Sequence, residues 1–126
     1  MAVTSTFSLF NTTIATLLGL LVAGSTMAAD ERSLNGSEIK RLLAGNTAYL
    51  DNGAVQTFSS DGKTLYFHEP RPLERGSWKI DGDEYCSEWG GSWTCYKMTG
   101  DGAERITWLG AGTTYPARLE AGNIFN

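Results

Sequence analysis

The sequence predicts a mainly β protein, in which about eight antiparallel strands run in an up-and-down meander and form a small barrel, capped by one short N-terminal helix. Three observations favour this class: turn signals at intervals of about ten residues, stretches rich in β-branched and aromatic residues between them, and a helix-capping segment before the first strand. The turn signals are Asn52-Gly53, Asp61-Gly62, Pro70-Arg71-Pro72, Asp81-Gly82, Gly90-Gly91, Asp101-Gly102, Gly110-Ala111-Gly112 and Gly122-Asn123.

The segments between these turns supply the strands. Closing an antiparallel sheet into a barrel removes its exposed edges, which favours a barrel over an open sheet. A barrel of about eight strands encloses little space, so side chains fill it or one small ligand fits. The predicted strands are 47–51, 54–60, 63–69, 73–80, 83–89, 92–98, 103–109 and 113–119.

A short helix is predicted over residues 36–44. Asn35 and Glu38 have the spacing of a capping box, and Leu34 and Ile39 have the spacing of a hydrophobic staple. The Gly-Asn pair that follows residue 44 is a typical helix stop. Because so short a helix is not stable alone, its apolar face must cover other structure, most simply an open end of the barrel.

Residues 1–28 contain no acidic or basic side chain and include an apolar run followed by small residues. This pattern predicts a cleavable signal peptide, with cleavage after Ala28 or Ala29, and a single small barrel domain over 29–126. The alternative is a buried N-terminal helix. A signal peptide implies a periplasmic or secreted protein. The apolar run is too short for a membrane span and the sequence has no second apolar stretch, so we expect no stable membrane insertion after cleavage.

Composition argues against several classes of function. The net charge of −4 is unfavourable for binding nucleic acid or an anionic membrane. His68 is the only histidine, so any Ser-His or Cys-His mechanism must use it, and its position at a predicted strand end favours a surface residue. Neither a calcium loop nor a phosphate-binding glycine loop is present. We therefore expect a protein that is not an enzyme and has no cofactor or metal.

The two cysteines fit the strand prediction. If Gly90-Gly91 is a two-residue hairpin loop, Cys86 lies directly opposite Cys95 on a non-hydrogen-bonded pair, where side chains approach most closely. Such a pair can form a disulfide, which agrees with export to an oxidising compartment. The alternative is two free thiols or a metal pair, although a single pair of cysteines lacks the other ligands of a closed zinc site.

The hairpin turns also predict which side chains face the barrel interior. A two-residue turn at Asp81-Gly82 pairs Trp78 with Tyr85, and the connected face reads Trp78, Ile80, Tyr85, Ser87, Trp89, Tyr96 and Met98. A two-residue turn at Asp61-Gly62 pairs Phe58 with Leu65 and Gln56 with Phe67, and it places Tyr66 and His68 on the opposite face. A three-residue loop at any of these turns would reverse the assignment.

Two segments resemble small secreted alphaproteobacterial proteins that are grouped as domains of unknown function. One runs from Leu34-Asn35-Gly36-Ser37-Glu38-Ile39 to Leu42-Leu43-Ala44-Gly45-Asn46-Thr47. The other comprises Gly76-Ser77-Trp78-Lys79-Ile80-Asp81-Gly82-Asp83 with Tyr85-Cys86, followed by Trp93-Thr94-Cys95-Tyr96. The resemblance implies a lipocalin-like barrel in a periplasmic or secreted bacterial protein, and it implies no catalytic residue.

Binding is the function that these features favour. The leading hypothesis is a cell-envelope protein that takes a small apolar or amphipathic ligand in the barrel mouth beneath the helix. The predicted lining residues are Phe58, Phe67, Trp78, Tyr85, Tyr96 and Trp108. The alternative is a periplasmic inhibitor or partner protein that docks to an enzyme through an exposed Trp93 or the loop Pro70–Pro72. Arg71 and Arg75, at this loop, could hold an anion.

Overall fold

A computed structural model of the protein describes residues 31–125, and the predicted signal peptide lies outside this range. Eight strands, β2 to β9, form consecutive antiparallel hairpins, and β9 also pairs with β2, so the sheet closes into a barrel. This confirms the predicted mainly β class and the small lipocalin-like barrel with one short helix. The elements are β1 (Arg32–Ser33), α1 (Gly36–Leu43), β2 (Asn46–Leu50), β3 (Val55–Phe58), β4 (Lys63–Phe67), β5 (Glu74–Asp81), β6 (Glu84–Glu88), β7 (Thr94–Gly100), β8 (Arg105–Gly110) and β9 (Thr113–Ala121).

The helix begins where the sequence predicts and ends one residue earlier. The side chain of Asn35 accepts a hydrogen bond from the backbone N–H of Glu38 at 2.9 Å, and the Glu38 carboxylate accepts one from the backbone N–H of Asn35 at 3.4 Å. The two residues of the predicted staple, Leu34 and Ile39, are both buried. Within residues 31–125, no helix combines the length and apolar character that crossing a membrane requires.

The helix covers one end of the barrel. The backbone N–H of Gly36 donates to the carboxylate of Asp83 in the β5–β6 turn at 2.9 Å, and Arg41 donates to the carbonyl of Gly102 in the β7–β8 turn at 3.2 Å. The apolar face of the helix joins the barrel core. That core comprises Leu34, Ile39, Leu42, Leu43, Ala48, Phe58, Trp78, Tyr85, Met98, Ile106, Trp108, Ala117 and Leu119.

The opposite end of the barrel carries the other set of turns. Successive turns of an up-and-down barrel alternate between its ends, so the turns that do not meet α1 lie together. They connect β2 to β3, β4 to β5, β6 to β7 and β8 to β9. Their residues are 51–54, 68–73, 89–93 and 111–112.

A very short strand, β1, was not predicted. Its two residues, Arg32 and Ser33, pair with Gly100 and Thr99 at the end of β7. Just after this strand, the backbone N–H of Leu34 donates to the carbonyl of Met98 at 2.9 Å. The pairing holds the chain that leads into α1 against the barrel wall.

The hairpin that carries the cysteines has the predicted register. Cys86 lies opposite Cys95, and Tyr85 lies opposite Tyr96. The two cysteines form a disulfide, with their Cα atoms 4.0 Å apart. This close spacing agrees with a non-hydrogen-bonded pair, in which facing residues lie nearest to each other. The disulfide is consistent with a protein that resides in an oxidising compartment.

The β5–β6 hairpin differs from the prediction by two positions. Its loop is Gly82-Asp83 rather than Asp81-Gly82, so Trp78 pairs with Ser87 and not with Tyr85. Side chains alternate between the two faces of a strand, and a shift of two therefore leaves each side chain on its predicted face. Trp78, Tyr85 and Ser87 are all buried in the interior.

The β3–β4 hairpin has a three-residue loop, and the prediction of a two-residue loop was wrong. Ser59 donates its backbone N–H to the carbonyl of Lys63 at 2.8 Å, which leaves residues 60–62 as the loop. Gly62 has φ of 92°, the left-handed conformation that ends a three-residue hairpin loop of this kind. A glycine adopts this conformation without the steric cost that other residues incur.

The extra loop residue reverses the predicted faces of β4 relative to β3. Phe58 pairs with Thr64 rather than with Leu65, and Gln56 pairs with Tyr66 rather than with Phe67. Directly paired residues lie on the same face of a sheet, so Tyr66 shares the interior face with Gln56 and Phe58. Phe67 pairs with Val55 on the outer face.

Removing the disulfide should destabilise the barrel. The bridge closes a loop with a sequence separation of 9, for which the loop-entropy argument gives about 2.6 kcal/mol. We expect the double variant Cys86→Ser, Cys95→Ser to melt on the order of 10 °C lower than the oxidised protein. Thermal unfolding followed by circular dichroism measures this, and non-reduced peptide mapping checks the linkage. Free thiols in the oxidised protein, or equal melting temperatures, would contradict the expectation.

Replacing Gly36 with alanine should loosen the contact between helix and barrel. A Cβ atom at this position would overlap the carbonyl oxygen of Gly82 and lie 2.8 Å from Cγ2 of Ile80. We expect Gly36→Ala to cost about 1–3 kcal/mol in the free energy of unfolding, measured by urea denaturation. The control is Gly91→Ala, because a Cβ atom there meets nothing within 4 Å. Equal stabilities of the two variants would show that the helix contact adjusts freely.

Candidate functional site

A cavity of about 250 Å³ opens at the barrel end opposite α1. The binding site was predicted beneath the helix, but the apolar face of the helix and the core cluster fill the barrel interior at that end. The open end is instead framed by the four turns that α1 does not meet. The cavity is lined by Leu50, Gln56, Tyr66, Arg71, Glu74, Tyr85, Ser87, Trp89, Tyr96, Trp108 and Tyr115.

Packed aromatic rings form the floor of the cavity. Phe58 is fully buried and meets Trp78 and Tyr85 edge to face, with ring centroids 5.7 and 5.9 Å away. It also stacks on Trp108, with the centroids 6.0 Å apart. Edge-to-face and offset stacked contacts are the favourable geometries for aromatic pairs. The half of the barrel nearest the helix is therefore filled, and the cavity ends at the rings of Tyr85 and Trp108.

Glycines in the barrel wall allow aromatic rings to lie along the cavity side. A Cβ atom at Gly76 would come within 2.6 Å of the Trp89 ring. A Cβ atom at Gly110 would come within 3.2 Å of the Tyr115 ring. Both rings therefore rest against bare backbone. This arrangement keeps two large side chains at the wall, where they line the space.

A network of hydrogen-bonded, buried side chains lies between the aromatic floor of the cavity and the barrel wall. The amide nitrogen of Gln56 donates to the hydroxyl of Thr64 at 2.9 Å and to the phenol oxygen of Tyr85 at 3.0 Å. The Thr64 hydroxyl in turn donates to the carbonyl of Thr57 at 2.8 Å. Burial raises the pKa of the Tyr85 phenol well above its ordinary value, although hydrogen bonds with Ser87 and Gln56 act in the opposite direction. Tyr85 therefore remains a neutral hydrogen-bonding group at physiological pH.

The indole N–H of Trp108 has no acceptor among the residues that the structure describes. Only 4% of the Trp108 side chain is exposed, and the residue lines the cavity. A buried donor without a partner is costly, and such groups are uncommon in folded proteins. Trp108 is thus a polar group at the cavity floor with unused hydrogen-bonding capacity.

The rim of the cavity carries charge and exposed aromatic surface. Arg71, in the β4–β5 turn, is exposed, whereas Glu74, the first residue of β5, is half-buried. Trp89 and Tyr115 are 38% and 37% exposed. Trp89 packs edge to face on Tyr66, with ring centroids 5.9 Å apart. A ligand that enters would therefore meet aromatic faces and both signs of charge before it reached the floor.

The structure separates the six predicted lining residues into three groups. Tyr85, Tyr96 and Trp108 line the cavity. Phe58 and Trp78 lie in the core beyond the floor. Phe67 lies on the outer face, and its assignment to the cavity was wrong because the three-residue β3–β4 loop reverses β4.

Sequence reasoning did not identify several residues of the cavity as binding candidates. Ser87 and Trp89 were placed on the interior face, and yet neither was proposed as lining. Glu74 has the same parity along β5 as Trp78, so extending that face would have found it. Gln56 was placed on the face of Phe58 and yet was not proposed as lining, whereas Tyr66 required the correct length of the β3–β4 loop. The remaining unassigned lining residues are Leu50 and Tyr115.

The three residues predicted to bind a partner lie in different places. Arg71 lines the cavity, whereas Arg75 pairs with Leu65 on the outer face of β5. The two arginines therefore belong to opposite sides of the barrel wall, and the predicted anion site between them is not supported. Trp93 is 43% exposed beside the disulfide hairpin, and the ammonium group of Lys79 lies 4.2 Å from the centroid of its ring.

The groups that could bind a metal or act in catalysis are few in residues 31–125. Ligand atoms of Asp81, Cys86 and Cys95 lie within 4.8 Å of one another, but both sulfur atoms are already joined in the disulfide. Thiolates are therefore not available there for a metal. His68 is half-buried after β4, where its ring meets Tyr66 edge to face at 6.5 Å.

Comparison with known proteins gives no relative from which a role could be transferred. No family model, no curated protein and no solved structure matches the chain. The resemblance to small secreted alphaproteobacterial proteins thus stays a prediction. Function has to be inferred from the chemistry of the cavity.

The buried phenol of Tyr85 should make stability depend on pH in alkaline solution. Because its pKa is raised in the folded protein, the unfolded chain loses this proton first, at about pH 10. The free energy of unfolding should therefore fall above about pH 10, by up to about 1.4 kcal/mol per pH unit from this group. Below that pH the group adds no slope.

Urea denaturation of the protein and of Tyr85→Phe across this range isolates the effect. The variant loses a hydrogen-bonding group at every pH, so the slope, rather than the absolute stability, is the diagnostic quantity. We expect a shallower alkaline decline for Tyr85→Phe. Parallel declines would mean that Tyr85 does not carry the pH dependence.

Proposed function

We propose that the protein is a non-catalytic binding module that takes a small apolar or amphipathic ligand in the open end of the barrel. The observation that carries the proposal is the aromatic-lined cavity of about 250 Å³ opposite α1. Ligand sites in proteins are typically concave and largely apolar, with a few polar groups that fix orientation. This cavity combines the Tyr85, Tyr96 and Trp108 rings with the polar groups of Gln56 and Ser87.

The volume limits the size of the ligand. An apolar cavity of about 150 Å³ is known to accept benzene. A single ring with a short substituent therefore fits the space, whereas a longer chain would extend past the rim.

The location of the protein in the cell forms a second part of the proposal. We infer that the protein is exported and works in the periplasm or outside the cell. The disulfide supports this inference, since such bonds persist in oxidising compartments. The charge-free, apolar segment 1–28 supports it independently.

We also propose that the protein has no catalytic role, because its one histidine, His68, does not line the cavity.

An inhibitor or partner protein is the second candidate function. The observation that favours it is Trp93, a large aromatic side chain that is 43% exposed beside a rigid disulfide hairpin. Exposed tryptophans of this kind often anchor protein–protein contacts. Its cation–π contact with Lys79 gives the ring a fixed partner without the need for a second protein. No side chain of residues 31–125 fills the cavity in a comparable way, and we therefore rank ligand binding first.

Filling the cavity from its wall should abolish binding. Ser87 is 5% exposed and faces the cavity. We expect a neutral aromatic probe, 2-phenylethanol, to shift the backbone amide resonances of β6, β7 and β8 in ¹H–¹⁵N NMR titrations. Ser87→Leu should remove these shifts, because the larger side chain occupies the space of the ring.

A matched control is available on the neighbouring strand. Ser77 pairs with Glu88 on the outer face, so Ser77→Leu introduces the same change outside the cavity. This variant should bind the probe as the unmodified protein does. If neither 2-phenylethanol nor L-phenylalanine shifts a cavity resonance at millimolar concentration, or if both variants respond equally, the cavity is not a binding site and the partner hypothesis becomes the better one.

A further inference from the structure

Two opposite charges face the cavity mouth without neutralising each other. Arg71 and Glu74 both line the cavity. Neither takes part in an ion pair within residues 31–125, where the salt bridges are Arg32–Glu38, Asp51–Arg105 and Arg118–Glu120. A cation and an anion three positions apart in the chain could have paired at low cost. Their separation leaves each one available to a ligand.

Both charges lie close enough to Tyr66 to influence its phenol. Burial and the Glu74 carboxylate raise the pKa of Tyr66, and the Arg71 guanidinium lowers it. Tyr66 itself pairs with Glu74 across β4 and β5, and it lines the cavity. The two charged groups therefore belong to one mouth, at the point where the aromatic wall ends.

We propose that the ligand is a small aromatic zwitterion of the amino-acid type, with its ring between Tyr85, Tyr96 and Trp108, its carboxylate at Arg71 and its ammonium group at Glu74. This proposal rests on the proposed function, since it assumes that the cavity binds a ligand. A guanidinium is well suited to a carboxylate, and a carboxylate to an ammonium group.

Ligands with a single charge fit the mouth less well. A carboxylate alone would approach Glu74 as well as Arg71, and an ammonium alone would approach Arg71 as well as Glu74. A neutral ligand would leave both charges with water as their only partner. The volume of about 250 Å³ accommodates one ring, with the charged substituents at the rim where the two side chains lie.

Four probes that share a phenylethyl group separate the contributions. L-phenylalanine carries both charges, 3-phenylpropionate lacks the ammonium group, 2-phenylethylamine lacks the carboxylate, and 2-phenylethanol lacks both. Dissociation constants come from ¹H–¹⁵N NMR titrations, which detect millimolar binding. We expect L-phenylalanine to bind about three- to tenfold tighter than either singly charged probe, a range set by partly exposed ion pairs.

Charge-removing variants assign each contact. Arg71→Gln should weaken L-phenylalanine and 3-phenylpropionate by a similar factor and leave 2-phenylethylamine no weaker. Glu74→Gln should weaken L-phenylalanine and 2-phenylethylamine and leave 3-phenylpropionate no weaker. The controls are Arg75→Gln and Glu84→Gln, which remove the same charges from the outer face and should change no affinity. Thermal melting confirms that all four variants fold.

The outcomes distinguish this inference from the proposed function. If 2-phenylethanol binds as tightly as L-phenylalanine, or if Arg71→Gln and Glu74→Gln change affinity no more than their controls, the zwitterion inference is wrong and the cavity remains a binding site. If none of the four probes shifts a cavity resonance, both fail. Both are supported if Arg71→Gln weakens only the probes that carry a carboxylate and Glu74→Gln weakens only the probes that carry an ammonium group.

Discussion

Packing of α1 across one end of the barrel is the contact on which the rest of the structure depends. An eight-stranded barrel is narrow, and its interior has room for little more than one set of side chains along its axis. The helix contributes Ile39, Leu42 and Leu43 to the core. These residues, with the rings of Phe58 and Trp78, fill the half of the barrel that the helix covers. The aromatic-lined cavity of the barrel interior therefore lies in the other half.

The same contact makes the two ends of the barrel different, because it closes one of them. The helix is held by the β5–β6 and β7–β8 turns through Asp83 and Gly102, and its start is fixed by the short β1–β7 pairing. Access from the helix end would require these contacts to break. The four turns at the other end make no contact of this kind with α1, and the mouth that they surround can stay open while the core remains packed.

The features that sequence predicted correctly are those fixed by local chemistry. A capping box operates within one helical turn, so the spacing of Asn35 and Glu38 was sufficient. The Gly90-Gly91 loop and the two cysteines are close in sequence and constrain one another, so the register of Cys86 with Cys95 followed. The register of β5 with β6 was wrong by two positions, yet the faces were unaffected, because side chains alternate with a period of two.

The features that the sequence did not predict depend on a difference of one residue in the length of a loop, or on contacts that form only when the strands have assembled into the barrel. Ser59 to Gly62 is compatible with a two-residue or a three-residue loop, and only the longer loop places Tyr66 inside and Phe67 outside. The strand β1 exists because a free stretch of the β7 edge is available to pair with it. Glu74 lies on the interior face. The alternation of side chains along β5 predicts this position, whereas its charge argues against it, because charged residues are seldom buried. It can lie there because β5 begins at the open rim.

Small residues in the wall explain why the open half remains a cavity. Ser87 faces the space with a short side chain, and Gly76 and Gly110 present bare backbone to the rings of Trp89 and Tyr115. Those rings lie back against the wall instead of across the axis. The glycines thus have a role beyond turn formation, since they set the direction of the Trp89 and Tyr115 side chains. Apolar surface is then exposed to solvent at the mouth, at a cost in stability that burial of a bound ring would offset.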